Sequence, residues 1–230
     1  MIIIIGIVFM IISFWVSNKL KKKFKKYSET TLGSGYSGAQ IAQKMLQDNG
    51  IHDVQVLCTE GELTDHYNPE NKTVNLSRDV YYGQNAAAAA VAAHECGHAL
   101  QHAQSYSFLE MRSAMVPLQN ISAKVLNIVV IIAIFGGIFL GNLPIQNILL
   151  IIIACYGVIT AFSLVTLPVE FDASKRALVW IKENNIATPD EHYKAKDALH
   201  WAAMTYVVAA LGSLVTFLYY IMMFLGGGDD

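Results

Sequence analysis

The chain alternates between long apolar stretches and polar segments in which charge is bunched. Residues 1 to 17 (MIIIIGIVFMIISFWVS) are almost unbroken aliphatic and aromatic and run directly into NKLKKKFKK. Three more apolar stretches follow, at about 125 to 141 (VLNIVVIIAIFGGIFLG), 145 to 167 (IQNILLIIIACYGVITAFSLVTL) and 203 to 225 (AMTYVVAALGSLVTFLYYIMMFL). Each is long enough to cross a hydrocarbon core, the first only just. Only Asn142, Leu143 and Pro144 separate the second stretch from the third, so the pair predicts an antiparallel transmembrane hairpin. The pattern predicts four transmembrane helices.

Between these stretches the periodicity changes. GSGYSG (33–38) leads into an amphipathic helix at about 38 to 49, with Ile41, Met45 and Leu46 on one face and Asn49-Gly50 as its stop. Val54 to Leu57 is a short β-type run. Residues 63 to 76 read as a hairpin, LTDHY and TVNLS around the turn NPENK, because Asn-Pro punctuates two segments of strand formers. From Asn85, AAAAAVAAHECGHALQHAQS is rich in the strongest helix former, and its single Gly97 costs only about 1 kcal/mol. A small sheet and a long helix are expected here.

Charge position orients the chain. Lys19, Lys21, Lys22, Lys23, Lys25 and Lys26 predict a cytoplasmic location for the segment after the first stretch. Lys175, Arg176, Lys182, Lys194 and Lys196 predict the same for the segment after the hairpin. The basic cluster follows the first apolar stretch, whereas a cleaved signal peptide carries its charge before, so this stretch reads as a retained anchor. The expected organisation is an anchor (1–17), a cytoplasmic domain (18–124), a membrane hairpin (125–167), a cytoplasmic helical segment (168–202) and a last membrane helix (203–225). The turn near Pro144 and the tail with Asp229 and Asp230 would lie outside, and the two polar segments would share one compartment.

Composition agrees with that picture: 54% of the 230 residues are hydrophobic and 15% charged, with a formal net charge of −2. Blockwise charge of this kind points to a bilayer, not to nucleic acid. Cys58, Cys96 and Cys155 form no CxxC pair, so reduced thiols are expected.

The alanine-rich helix carries His94, Glu95, Cys96, Gly97 and His98, the HExxH spacing that puts two imidazoles on one face, one turn apart. Two such imidazoles suit Zn2+, and a catalytic site needs one further protein ligand, with the fourth position left for water. Glu95 is then placed to act as the base. Candidates for the third ligand are His52, His66, His102, Glu170, Asp172, His192 and His200. Glu170 is favoured because it follows the third apolar stretch and Pro168, where it would open a new helix. An acid there is costly unless a cation pairs with it. An interfacial Glu170 facing water near Lys175 is the plainer alternative. His102 is disfavoured, since one straight helix spreads His94, His98 and His102 over about 12 Å of rise. Asp172 precedes Arg176 by four residues, which suits either a local ion pair or support of a ligand histidine. Cys96 points off the histidine face and reads as a small buried residue.

HECGHALQH with LPVEFDASKRAL, a basic amino-terminal anchor and a membrane hairpin between the motifs resembles the YugP-type neutral zinc metallopeptidases over nearly the whole chain. It is more distantly similar to the HtpX-type heat-shock proteases and the CAAX prenyl proteases. The resemblance implies His94, His98 and Glu170 as zinc ligands, Glu95 as catalytic base and a zincin-like α+β domain in a mainly α membrane protein. It also implies a sheet edge that takes up extended substrate, placed here at Thr73 to Leu76, and an oxyanion stabiliser, for which His200 and Tyr206 are candidates. The distant relatives usually carry Glu-x-x-x-Asp, but the fourth residue after Glu170 is Ser174, which leaves support of a histidine to Asp172 or to nothing.

The expected function is hydrolysis of peptide bonds in membrane or membrane-proximal proteins at the cytoplasmic face, with a protein or peptide and the lipid bilayer as partners and no nucleic acid. A zinc-binding membrane scaffold would have no use for Glu95, and a di-iron hydroxylase needs several histidine boxes. The donor set also accepts cobalt, nickel or manganese.

Overall fold

The computed structural model describes residues 1–61, 63–139 and 145–226. The expected turn near Pro144 and the tail with Asp229 and Asp230 lie outside the described residues. The elements run α1 (Ile2–Ser28), α2 (Gly38–Asp48), β1 (Gln55–Thr59), β2 (His66–Asn68), β3 (Thr73–Ser77), α3 (Arg78–Tyr81), α4 (Ala86–Ala103), α5 (Ser107–Phe139), α6 (Ile145–Glu183) and α7 (Pro189–Gly226). Helix dominates, and among the described residues the one sheet has three strands.

The chain forms two compact units. One comprises Met1–Ser13, Met111–Leu167 and Tyr206–Asp230. Its helices belong to four that are long and apolar enough to cross a membrane: Ile2–Ser28, Ser107–Ile132, Gln146–Glu183 and Pro189–Gly226. Little of their apolar surface is covered by protein, as Ile4, Met10, Phe14, Ile131 and Met222 illustrate, each more than half exposed. Lipid is the solvent that such a surface suits.

These helices outrun the apolar stretches that predicted them. The first continues through the lysine cluster to Ser28, and the helix holding residues 125 onward already starts at Ser107. Pro168 does not open a new helix, contrary to expectation: α6 runs unbroken from Ile145 to Glu183 with the proline inside it. A proline removes a single hydrogen bond from the ladder, and a helix of 39 residues keeps the rest. Glu170 therefore sits in mid-helix.

The other unit comprises Phe14–Glu110 and Pro168–Thr205. Its strand order is β1-β3-β2, with β1 parallel to β3 (Val56 beside Val74) and β2 antiparallel to it (Tyr67 beside Val74). The hairpin expected at 63 to 76 is β2 and β3. Its turn is fixed by Asn68 Oδ1, which accepts from the N–H groups of Glu70 and Asn71 at 2.9 and 3.3 Å. The expected edge strand is a correction: Thr73 to Leu76 lies in the central strand, and the edges are β1 and β2. All five residues of β3 are buried, which an edge strand flanked by water on one side does not achieve.

Helix α2 starts at a capping box, in which Ser37 Oγ accepts from the Gln40 N–H while Gln40 Oε1 accepts from the Ser37 N–H. It buries Ile41, Met45 and Leu46 against α4, each side chain contributing about 1.5–3 kcal/mol. Asn85 caps α4 by accepting from the Ala88 N–H at 2.9 Å, a contact of the kind that stabilises a helix by about 1 kcal/mol. The alanines of α4 are buried almost without exception, so their small size lets α2, α3 and the sheet close on this helix from several sides. After the turn at 184–188, Thr188 and Glu191 form a second reciprocal cap at the start of α7, and Glu191 Oε1 also accepts from the Gly33 N–H at 2.8 Å. Trp180, Ile181, Ile186 and Leu199 complete the core.

Candidate active site

Because 3.6 residues make a turn, His94 and His98 stack along one face of α4, with ring centroids 4.7 Å apart and planes crossed at 80°. Glu170 meets them from α6, its Oε2 3.3 Å from His94 Nε2 and 3.7 Å from His98 Nε2. The three ligand atoms lie within 4.8 Å of one another, and Glu170 is only 2% exposed. Donors about 2.0–2.1 Å from a tetrahedral ion stand about 3.3–3.4 Å apart, the separation of Glu170 from His94 and a few tenths of an ångström less than its separation from His98. Two imidazoles and one carboxylate are also the donor set of catalytic zinc, with one position left for water. The sequence-favoured trio is thus brought together and could hold a metal.

Gly97 makes this approach possible. A Cβ at that position would fall 2.6 Å from the Ala173 carbonyl oxygen, a distance at which something must shift. The residue between the two histidines is therefore the contact point of α4 with α6.

Each imidazole is held from its far side. His98 Nδ1 meets Gln101 Oε1 at 3.0 Å, while Gln101 Nε2 donates to Val169 O at 2.8 Å and to Asp172 Oδ2 at 2.9 Å. With both acceptors on its nitrogen, the amide can be oriented in only one way, so His98 Nδ1 carries a proton and Nε2 is left as the atom that could ligate a metal. Asp172 in turn accepts from Arg176 Nε, the ion pair that the spacing predicted, and reaches His98 only through Gln101. His94 Nδ1 is 3.1 Å from Ser174 Oγ. Ser174, the residue that departs from the Glu-x-x-x-Asp pattern of the distant families, thus supplies a hydroxyl to His94. Gln101 and Ser174 were missed in the sequence, although each follows a site residue by three or four positions on its helix.

Burial, the strongest influence on His98, disfavours its charged form, but Glu170, assisted by Glu95 and Gln101, outweighs it and holds its pKa above the ordinary value. The pocket is built to receive positive charge. Glu95 is 8% exposed, and its Oε2 accepts from the Tyr67 N–H on β2 at 3.0 Å. The edge strand and the HExxH helix are thereby tied together beside the trio that could hold a metal.

The remaining candidates lie apart from this cluster. His102 Nδ1 is 2.8 Å from the Tyr67 hydroxyl, His66 Nδ1 meets Thr64 O at 2.7 Å and His192 Nε2 meets Leu178 O at 3.0 Å. His52 is exposed. His200 packs edge-on to Trp201, with centroids 5.9 Å apart, and Tyr206 belongs to the other compact unit. Cys96 is fully buried as expected, its thiol pushed far up by burial and by nearby Glu95, and its Sγ lies 3.5 Å from Ala42 O. Cys155 is also buried, and Cys58 is exposed.

A histidine pair and a glutamate from a second helix, in a chain with membrane-length helices, define a class: the chain belongs to the family described as "Putative neutral zinc metallopeptidase", which matches residues 2–225. It is 41% identical over 219 residues to the "Putative membrane protease YugP" of Bacillus subtilis (strain 168), a match covering 95% of this chain and 94% of that protein. No solved structure matches the chain.

Proposed function

We propose that the protein is a membrane-anchored zinc peptidase that cuts membrane or membrane-proximal proteins at the cytoplasmic face. The observation that carries this reading is the convergence of His94 and His98, on the helix that also bears Glu95, with a carboxylate oxygen of Glu170 from α6, the three ligand atoms lying within 4.8 Å of one another. When bound there, zinc supplies Lewis acidity and lowers the pKa of water from about 15.7 to about 7. His94, His98 and Glu170 would hold the ion. Glu95 takes a proton from the attacking water and delivers it to the amide nitrogen as the C–N bond breaks. The Tyr67 N–H occupies one Glu95 oxygen and fixes the carboxylate, leaving the other for this proton.

The segments 18–124 and 168–202 form the working, zincin-like domain in this reading, and the two lysine clusters favour its cytoplasmic placement. Strand β2, the sheet edge tied to Glu95, is the place for an extended substrate to add.

Comparative membrane proteomics of cells carrying the wild type or Glu95→Gln tests the proposal, with bound metal measured on both purified proteins. The expected result is equal zinc content and loss of specific cleavage products in the variant. Identical products from both would replace the peptidase with a zinc-binding scaffold.

A further inference from the structure

An open groove of about 360 Å³ runs between the C-terminal half of α6 and the N-terminal half of α7. Helical spacing builds its two walls. Phe171, Lys175, Val179 and Lys182 lie along one face of α6, while His192, Lys196, Leu199 and Ala203 lie along one face of α7. Apolar and basic side chains alternate in the lining: Phe171 and Val179 are each 45% exposed, and Lys175, Lys182 and Lys196 stand exposed beside them.

The charge here is uncompensated. On the same two helices Arg176 is paired with Asp172, and Lys194 with Asp190. Lys175, Lys182 and Lys196 have no carboxylate within ion-pair distance among the described residues. Three unpaired cations beside half-exposed apolar side chains call for a ligand that is both anionic and apolar.

The groove is also graded along its length. Phe171 follows the apolar stretch that closes at Leu167, and Ala203 opens the stretch that continues to Leu225, so this end adjoins the parts of both helices suited to hydrocarbon. Lys182 and His192 lie toward the opposite end, by the turn at 184–188. A phospholipid has the same order, with acyl chains toward the bilayer and phosphate away from it.

We propose that this groove binds a phospholipid with an anionic headgroup, its phosphate at Lys182 and Lys196 and its glycerol and upper acyl carbons on Phe171 and Ala203. The proposal rests on the membrane part of the functional reading and not on catalysis. Ser174 also lines the groove, so the lipid lies against the residue that supports His94.

The test is native mass spectrometry of the full chain in the Glu95→Gln background, titrated with phosphatidylglycerol or phosphatidylcholine. One phosphatidylglycerol is expected to bind with clear preference, and Lys175→Gln, Lys182→Gln and Lys196→Gln together are expected to weaken it about a hundredfold, since each lysine near an anionic surface contributes about a fivefold factor. Phe171→Ser is expected to weaken it further, while inorganic phosphate at matched concentration should not compete. Changing Lys21, Lys22 and Lys25 to Gln is expected to leave the single bound lipid in place. Equal binding of both lipids, retention of preference by the triple variant, an equal loss from the α1 variant, full competition by phosphate, or lysine-dependent binding of an acidic peptide in place of lipid would each overturn the proposal. Zinc content of every variant is read in parallel, so loss of the metal site is distinguishable from loss of the lipid.

Discussion

The two histidines of α4 are held in different ways. His98 leans on Gln101, which is fully buried and has all its other partners inside the protein, whereas His94 has only the hydroxyl of part-buried Ser174 behind it. A buried, fully satisfied network fixes both the ring and its tautomer and is costly to disturb. A hydroxyl can rotate, and either donate or accept. The expected consequence is a division between the two rings, with His98 held in one orientation and His94 freer to turn.

The largest effect is expected where both histidines lose their common partner. Glu170→Gln keeps the shape of the side chain but removes its charge, and zinc affinity should fall by more than about a hundredfold, measured by chelator competition. Gln101→Ala comes next. It strands His98 Nδ1 in a buried setting, so zinc affinity should fall by about 10- to 100-fold and stability by about 1–3 kcal/mol, the latter read from denaturant unfolding. Ser174→Ala should cost about tenfold or less in affinity and leave unfolding nearly unchanged. Were it to cost as much as Gln101→Ala, the proposed division between the histidines would be wrong. The smallest change sharpens the comparison from the other side: Ser174→Asp puts a carboxylate behind His94, raises its basicity and should tighten zinc severalfold in the same competition assay.

What could be read in the sequence was what depends on local spacing. The apolar stretches, the alanine-rich helix, the hairpin around NPENK and the one-turn separation of His94 from His98 are all set by residues a few positions apart, and the structure contains each of them as far as it is described. Glu170 was singled out on an expectation about Pro168 that the unbroken α6 does not meet, while the cost of a lone acid there was the sounder argument. The lateral place of β3 was not legible because it depends on parallel pairing with β1, which no short-range pattern encodes. Gln101 and Ser174 stayed hidden for a related reason. Their partners lie about 70 to 80 positions away, and only the close approach of α4 to α6 at Gly97 brings them within reach.

The unequal exposure of the three cysteines has a practical consequence. With Cys96 and Cys155 enclosed, Cys58 on β1 is the one thiol open to solvent, in the same compact unit as His94. A membrane-impermeant maleimide therefore has a single address on the native protein. Labelling in inverted vesicles but not in intact cells is the outcome expected for a cytoplasmic active site, and the reverse would turn the whole unit to the opposite side of the bilayer.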